Sequence, residues 1–498
     1  VRSLLLLRGM SDEVQTQPIQ VLPVPEQQNR VRQVLGRVVD RLVAERQATV
    51  DAVVPAPTPL QPVDLTDDAR VTQVLELAER VGDVVLASGT SVMDTTNHVE
   101  FIASTYGLSQ CDIDVTYNAI RISADRGPSL PPASTMRVVN HRSLDFTRLA
   151  AVDRLTRRIR REVVPPEDAQ QALEAITTAP HPYNRWVATF GWSLLAAAIG
   201  FLVGGGVLVA AVSSIATALI DRTNRALNRR GLPFFFQAIA GGAIATAPAI
   251  LLATFAGRLE ANPSLIVAAG ITVLLSGLQL VGAVEDAITG APITAAARML
   301  EVLMMTAGII AGVALALRLA EPLHAVSPTI DMQSSSDITN LPLKVTAGAV
   351  ASLAFALACY AERRALAAAG LSGAVATVCY LVTQHANFGP VVASGAAATV
   401  VGLAGGLMAR RALTPPLVVA MAGITPLLPG LTVYRGLQAL LASEPLMGLS
   451  KLFAAFAIGC ALAAGVVLGE WFARFLRRPR LLLRFQGIRR PTMAGPDS

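Results

Sequence analysis

Residues 270–278 read GITVLLSGL, and residues 423–431, 153 positions later, read GITPLLPGL. Seven of the nine positions are identical, and both copies lie in long apolar runs. Each has a helix-weakening pair near its end, Ser276-Gly277 in the first and Pro429-Gly430 in the second. Proline lacks the amide hydrogen a helix interior needs, and glycine costs backbone entropy there. In hydrocarbon such a break persists only where protein or a cavity satisfies the freed peptide groups, so a duplicated break marks a functional position.

The likeness runs outward from this core. At the same offset, residues 240–278 match residues 393–431 at 16 of 39 positions without a gap, and Arg258 pairs with Arg411 and Pro263 with Pro416. The surrounding sequence is that of a membrane domain. The chain has 498 residues, 53% hydrophobic and 15% charged, with a mean hydropathy of +0.52, and its apolar runs are concentrated after about residue 185. Ten runs are readable, at 186–203, 205–220, 234–256, 264–284, 298–318, 344–361, 366–383, 388–408, 415–434 and 451–473. The second is short for a bilayer core of about 30 Å, which takes about 20 helical residues.

Arginine placement orients these spans, because cytoplasmic loops are rich in Lys and Arg. With Trp186 entering from the cytoplasm, Arg222, Arg225, Arg229, Arg230, Arg298, Arg363, Arg364, Arg410, Arg411, Arg474, Arg477 and Arg478 fall inside. Five spans followed by five place the two copies in opposite orientation, as in secondary transporters built from inverted repeats. The expected fold is an α-helical polytopic membrane protein of about ten transmembrane helices, arranged as two inverted five-helix repeats at 184–320 and 344–475. An extracytoplasmic loop at 321–343 separates them, a basic cytoplasmic tail at 476–498 follows, and both termini lie in the cytoplasm.

Ahead of the spans, residues 1–66 read as a flexible tail with one amphipathic helix near 31–50. Residues 67–183 read as a small soluble α+β domain on the cytoplasmic side. It has helices near 71–86 and 92–106, and a sheet carrying Ile113, Val115, Tyr117, Met136 and Val138. Further helices follow at 144–163 and after Pro165-Pro166. The LLLL of residues 4–7 is shorter than a signal-peptide core, so no cleaved targeting segment is expected.

Net charge +6 and pI near 9.5 come from Arg beside apolar runs, with aromatics at 5%, which favours membrane orientation over nucleic acid. Cys111, Cys359, Cys379 and Cys460 are too scattered for a disulfide frame or a metal site. No Walker loop or dinucleotide fingerprint occurs, and no cofactor is expected. Ser88, Ser91, His98, His141 and Asp145 lack a nucleophile-elbow setting and read as local hydrogen-bonding residues.

Several stretches together resemble the threonine/serine exporter family of bacteria and fungi, over residues 70–475. They are the segment LASGTS at 86–91, Asn140-His141, LDFTRL at 144–149, GITVLLSGLQLVGAVEDAITG from residue 270 and GITPLLPGLTVYRGL from residue 423. The resemblance implies export of small hydroxy amino acids, L-threonine and L-serine, driven by the proton-motive force. Some relatives carry the two halves as separate proteins, and split members are associated with dicarboxylate export. Family copies commonly have Pro-Gly in the first repeat, where this chain has Ser276-Gly277.

A zwitterionic substrate needs partners for a carboxylate and an ammonium, which the exposed N–H and C=O groups of a broken helix supply. Substrate-binding candidates are therefore Ser276, Gly277, Pro429 and Gly430, with Thr272, Gln279, Thr425 and Thr432 near a substrate hydroxyl. Proton-coupling candidates are Glu285, Asp286 and Glu301, since a coupled carrier needs ionisable groups tuned by burial or by a neighbouring charge. The repeat counterparts of Glu285 and Asp286 are the neutral Gln438 and Ala439. Tyr434 and Arg435 are gating candidates. Expected partners are the small-molecule substrate, protons and the lipid bilayer, and a homo-oligomer remains open. The alternatives are another small metabolite such as a dicarboxylate, or a membrane-anchored enzyme with its site in the soluble domain.

Overall fold

The computed structural model describes residues 62–139, 144–162, 164–255, 263–274, 277–320, 340–409, 414–441 and 443–477. The segments at 1–61, 140–143, 321–339 and 478–498 therefore lie outside the described residues, and with them the helix expected at 31–50, Asn140, His141 and both expected tails. Arg258, Ser276 and Arg411 lie outside as well.

The N-terminal layer begins with α1 (Asp68–Ala87) and α2 (Val92–Thr105). Asp67 caps α1 by accepting from the Ala69 and Arg70 amides, and Ser91 caps α2 by accepting from the Asp94 amide. An antiparallel sheet follows in the order β1 (Cys111–Val115), β2 (Ala119–Ala124), β3 (Ala133–Val138), with Ile122 opposite Ile113 and Thr135. Sequence alternation finds the period of β3 but not its phase. Met136 and Val138 are exposed, whereas the Thr135 hydroxyl donates to Glu79 Oε1 (2.6 Å) and Arg137 pairs with Asp83 (2.6 Å) on α1. The layer closes with α3 (Phe146–Arg161), capped by Asp145, and α4 (Pro166–Thr178), opened by its proline.

The membrane helices follow as α5 (Arg185–Leu202), α6 (Val207–Arg229), α7 (Phe234–Phe255), α8 (Pro263–Leu274), α9 (Gly277–Ile288) and α10 (Pro292–Ala320), then α11 (Leu341–Ala358), α12 (Arg363–His385), α13 (Gly389–Ala409), α14 (Pro416–Ile424), α15 (Gly430–Leu441) and α16 (Pro445–Arg477). Among the described residues, eight helices are long and apolar enough to cross a membrane, or nine if α8 and α9, bent by 46° at their junction, form one span. At 1.5 Å per residue the nine-residue α14 rises only about 14 Å, so it reaches across only with the turn at Thr425–Leu427 and α15. α6, expected to be short, runs for 23 residues. Asp221 and Arg225 prolong it because they pair with each other (2.9 Å) while Asp221 also accepts from Thr189 of α5 (2.6 Å), so charges that read as a span end stay satisfied within the helix pair.

A single apolar core joins the N-terminal layer to the membrane helices. Phe146, Leu149 and Val152 of α3 continue into Phe355, Cys359, Ala361 and Ala365 around α11 and α12, and into Val418 and Met421 of α14. The Phe146 and Phe355 rings meet edge to face at 6.0 Å.

Candidate functional site

The two breaks lie against each other. A β-carbon added at Gly277 would stand 3.1 Å from Leu428 of the second copy, and one added at Gly430 would stand 2.5 Å from both side-chain branches of Thr272 in the first. Close approach thus requires glycine at 430, while at 277 the Leu428 side chain leaves a tighter than usual but yielding contact. Thr272 and Thr425, equivalent under the 153-residue offset, make the same bond: each hydroxyl donates to the carbonyl four residues back, Ala268 (2.7 Å) and Met421 (2.9 Å). Their hydrogens are committed to their own helices, so each oxygen has lone pairs left only to accept, and that of Thr272 lies against Gly430. The Gln279 Oε1 is buried without a partner, and Pro429 is buried while Thr432 is half-buried. Arg435 is half-buried on α15, and the Tyr434 side chain lies outside the described residues.

A second polar centre forms where the N-terminal layer meets α9 and α10. Asp286, fully buried, pairs through Oδ2 with Arg298 Nη1 (2.9 Å) and accepts through Oδ1 from the Val92 amide at the start of α2 (2.9 Å). Arg298 Nη2 donates to the Thr90 carbonyl (3.1 Å). Gly282 makes room for this, since a β-carbon there would stand 3.0 Å from Nη1. Half-buried Glu285 meets the Ser91 hydroxyl among the charges of Asp94, Asp286 and Arg298. Glu301, one helical turn beyond Arg298, accepts from the Tyr117 hydroxyl (2.9 Å).

All three carboxylates singled out from the sequence therefore gather under the N-terminal layer, some way from the breaks. Eight residues of α9 separate Gly277 from Glu285, an axial rise of about 12 Å. Sequence reasoning missed Thr90, Val92, Tyr117 and the pairing role of Arg298. Its one available signal was the carboxylate pair at the end of an apolar run, which requires a cation or amide partner if buried. Ser88, Ser91, His98 and Asp145, the described members of the set that suggested hydrolysis, are each otherwise engaged, Ser91 as the cap of α2. Ser88 donates to the Val84 carbonyl (2.7 Å), His98 Nδ1 meets the Asp94 carbonyl (2.7 Å), and Asp145 caps α3 and pairs with His181 (3.1 Å).

The other side of the layer holds the α11–α12 turn. The Phe146 amide donates to the Cys359 carbonyl (3.0 Å), Thr147 donates to the Tyr360 carbonyl, Arg154 pairs with Glu362 (2.8 Å), and His181 stacks on Tyr360 (4.4 Å). One layer thus grips α9–α10 chiefly through polar groups, and α11–α12 through these polar bonds together with the apolar face of Phe146, Leu149 and Val152.

Long apolar helices, two broken helices in contact and a polar seam beneath a small sheet-containing layer define a multi-pass α-helical membrane protein. Comparison with known proteins narrows the class. A family model described as "Putative threonine/serine exporter" matches residues 76–320, and one described as "Threonine/Serine exporter, ThrE" matches residues 344–481. A threonine/serine exporter of Corynebacterium glutamicum is 44% identical over 439 residues, covering 87% of this chain and 90% of that protein. A Mycobacterium tuberculosis protein named "Probable threonine/serine exporter" is 39% identical over 417 residues, covering 82% and 78%. No solved structure matches the chain. The chain belongs to the threonine/serine exporter family.

Proposed function

We propose that this chain is a secondary carrier that exports L-threonine and L-serine across the cytoplasmic membrane in exchange for protons. The observation that carries the reading is the contact of the two broken helices at Gly277–Leu428 and Gly430–Thr272. Broken backbone inside a membrane domain presents N–H groups to a carboxylate and C=O groups to an ammonium without burying a fixed charge. Thr272, Thr425, Thr432 and Gln279 surround the place where a substrate hydroxyl would sit, and the names of the relatives supply the hydroxy amino acids. In this reading the two five-span halves are inverted repeats that rock about the crossing, with both termini in the cytoplasm. Glu285, Asp286 and Glu301 take up the proton that resets the cycle, Tyr434 and Arg435 gate the outer end, and the N-terminal layer covers the cytoplasmic mouth.

Purified protein in liposomes tests this. Threonine or serine loaded inside should leave faster under an imposed pH gradient and stay put when a protonophore collapses it. Flux of dicarboxylates in place of the amino acids, or turnover of substrate without flux, would replace the reading.

A further inference from the structure

We infer that the seam between α2 and α9–α10 is a loading site for the zwitterionic amino acid, where the Nε–Nη2 edge of Arg298 receives the α-carboxylate and Glu285 receives the α-ammonium. The inference rests on the export reading above and adds a site separate from the crossing of the broken helices.

The chemistry of Arg298 points there. A guanidinium binds a carboxylate best through two parallel N–H groups, and Nε with Nη2 form one such edge. In this structure Nη1 is held by Asp286 and Nη2 by the Thr90 carbonyl, while Nε has no partner although Arg298 is only 5% exposed. The Thr90 hydroxyl, on a residue 4% exposed, is unpartnered as well. Buried polar atoms left unsatisfied are costly and uncommon in native proteins, and two of them meet at one seam. Withdrawal of the layer would remove the Thr90 carbonyl and open the whole Nε–Nη2 edge, with Asp286 still fixing the guanidinium through Nη1. Glu285 lies one residue from Asp286, feels the charge of Arg298 and would lose its Ser91 partner in the same movement, leaving an anion near the cation. Gln279, Gly282 and Asp286 recur at helical spacing along one side of α9, the side that runs from the seam toward the break at Gly277.

The seam is also the contact better suited to part. Its paired groups, Asp286, Arg298, Glu285 and Ser91, are polar and regain water when separated, at the cost of exposing Val92 and Ala291, whereas separation from α11, α12 and α14 would expose the larger Phe146, Phe355 and Met421.

The test is exchange of labelled threonine by the full chain in liposomes, with two competitors: threoninol, which lacks the carboxylate, and 2,3-dihydroxybutyrate, which lacks the ammonium. Arg298→Lys keeps the charge but loses the fork. It should raise the threonine KM about tenfold or more and leave inhibition by threoninol unchanged. Glu285→Gln should raise the threonine KM and leave inhibition by 2,3-dihydroxybutyrate unchanged. Val92→Pro supplies an independent check. Val92 is the first residue of α2, where proline is accepted, and Ser91 before it is extended (φ −66°, ψ 157°), so the change removes the amide that holds Asp286 without breaking the helix. It should loosen the seam and lower the threonine KM, a direction opposite to that expected of general damage. A threonine KM that does not respond to Arg298→Lys, or parallel losses for threonine and both analogues, would overturn the loading site. Absence of threonine and serine flux in the unmodified protein would instead overturn the export reading, and the loading site with it.

Discussion

Gly430 is the residue on which the crossing depends most. An added methyl would sit 2.5 Å from Thr272, while at Gly277 the nearest atom is a Leu428 branch at 3.1 Å that can shift. Gly430→Ala is therefore expected to destabilise the protein by about 1–3 kcal/mol and Gly277→Ala by less, read as thermal unfolding in detergent. Thr272→Ala should recover part of the loss in Gly430→Ala, and a double-mutant cycle reports that coupling. Glu79 gives a different prediction. Burial raises its carboxyl above the ordinary range, opposed by the Thr135 hydrogen bond and the nearby Arg137 charge. A carboxyl raised in the fold binds more protons folded than unfolded, so stability falls as pH rises from its ordinary value near 4.5 through the folded value. Glu79→Gln should therefore raise the unfolding temperature at pH 7–8, and the gain should vanish toward pH 4, as thermal scans across pH would show. Neither Gly430 as a contact residue nor Glu79 as a buried acid was legible in the sequence. Gly430 was visible as a helix break, but the atom it touches lies 158 positions away, at Thr272.

The pair α9–α10 shows what a helix hairpin gains from its neighbour. Alone, it would bury Asp286 against Arg298 with two of the guanidinium's three nitrogens unmet; the start of α2 supplies the Thr90 carbonyl and the Val92 amide. Arg298→Leu should cost about 3–5 kcal/mol because it removes the cation paired with a fully buried carboxylate, and Asp286→Leu combined with Arg298→Leu should cost less than either change alone. Unfolding midpoints of the three variants check this. The bonds of this seam span 184 to 208 residues of sequence. Polar residues at both ends of such bonds have no periodicity to betray them. By contrast, the apolar runs and the Pro165-Pro166 opening of α4 are local signals, and these located the helices, although α6 runs to Arg229, well past the expected end at residue 220.

Across the full chain, the helices from α5 to α10 recur in order as α11 to α16. The second set lies about 153 residues further on, and α9 and α15 correspond residue for residue at Gly277–Ile288 and Gly430–Leu441. The N-terminal layer breaks this duplication, because it meets α9–α10 chiefly through the Asp286–Arg298 pair and α11–α14 through an apolar core flanked by the Arg154–Glu362 pair. Its core is shared with the membrane helices and is not its own. Deletion of residues 1–179 should therefore expose Phe355, Ala361 and Met421 and yield aggregated protein on size-exclusion chromatography in detergent, where the full chain should elute as a single symmetric peak. The expectation of a cytoplasmic α+β unit described the right elements but could not show that their apolar faces continue into the membrane helices.

Helix positions, the two breaks and the duplication were all present in the order of residues. In a bilayer each segment must satisfy its own backbone, so hydropathy, proline and glycine act locally and can be read locally. The outward phase of Met136 and Val138, the extension of α6 through Asp221, the contact of Gly430 with Thr272 and the seating of Asp286 and Arg298 beneath α2 came from folding alone. Each depends on a partner brought in from a distant part of the chain, and a buried charge or a glycine contact has no meaning until that partner is in place.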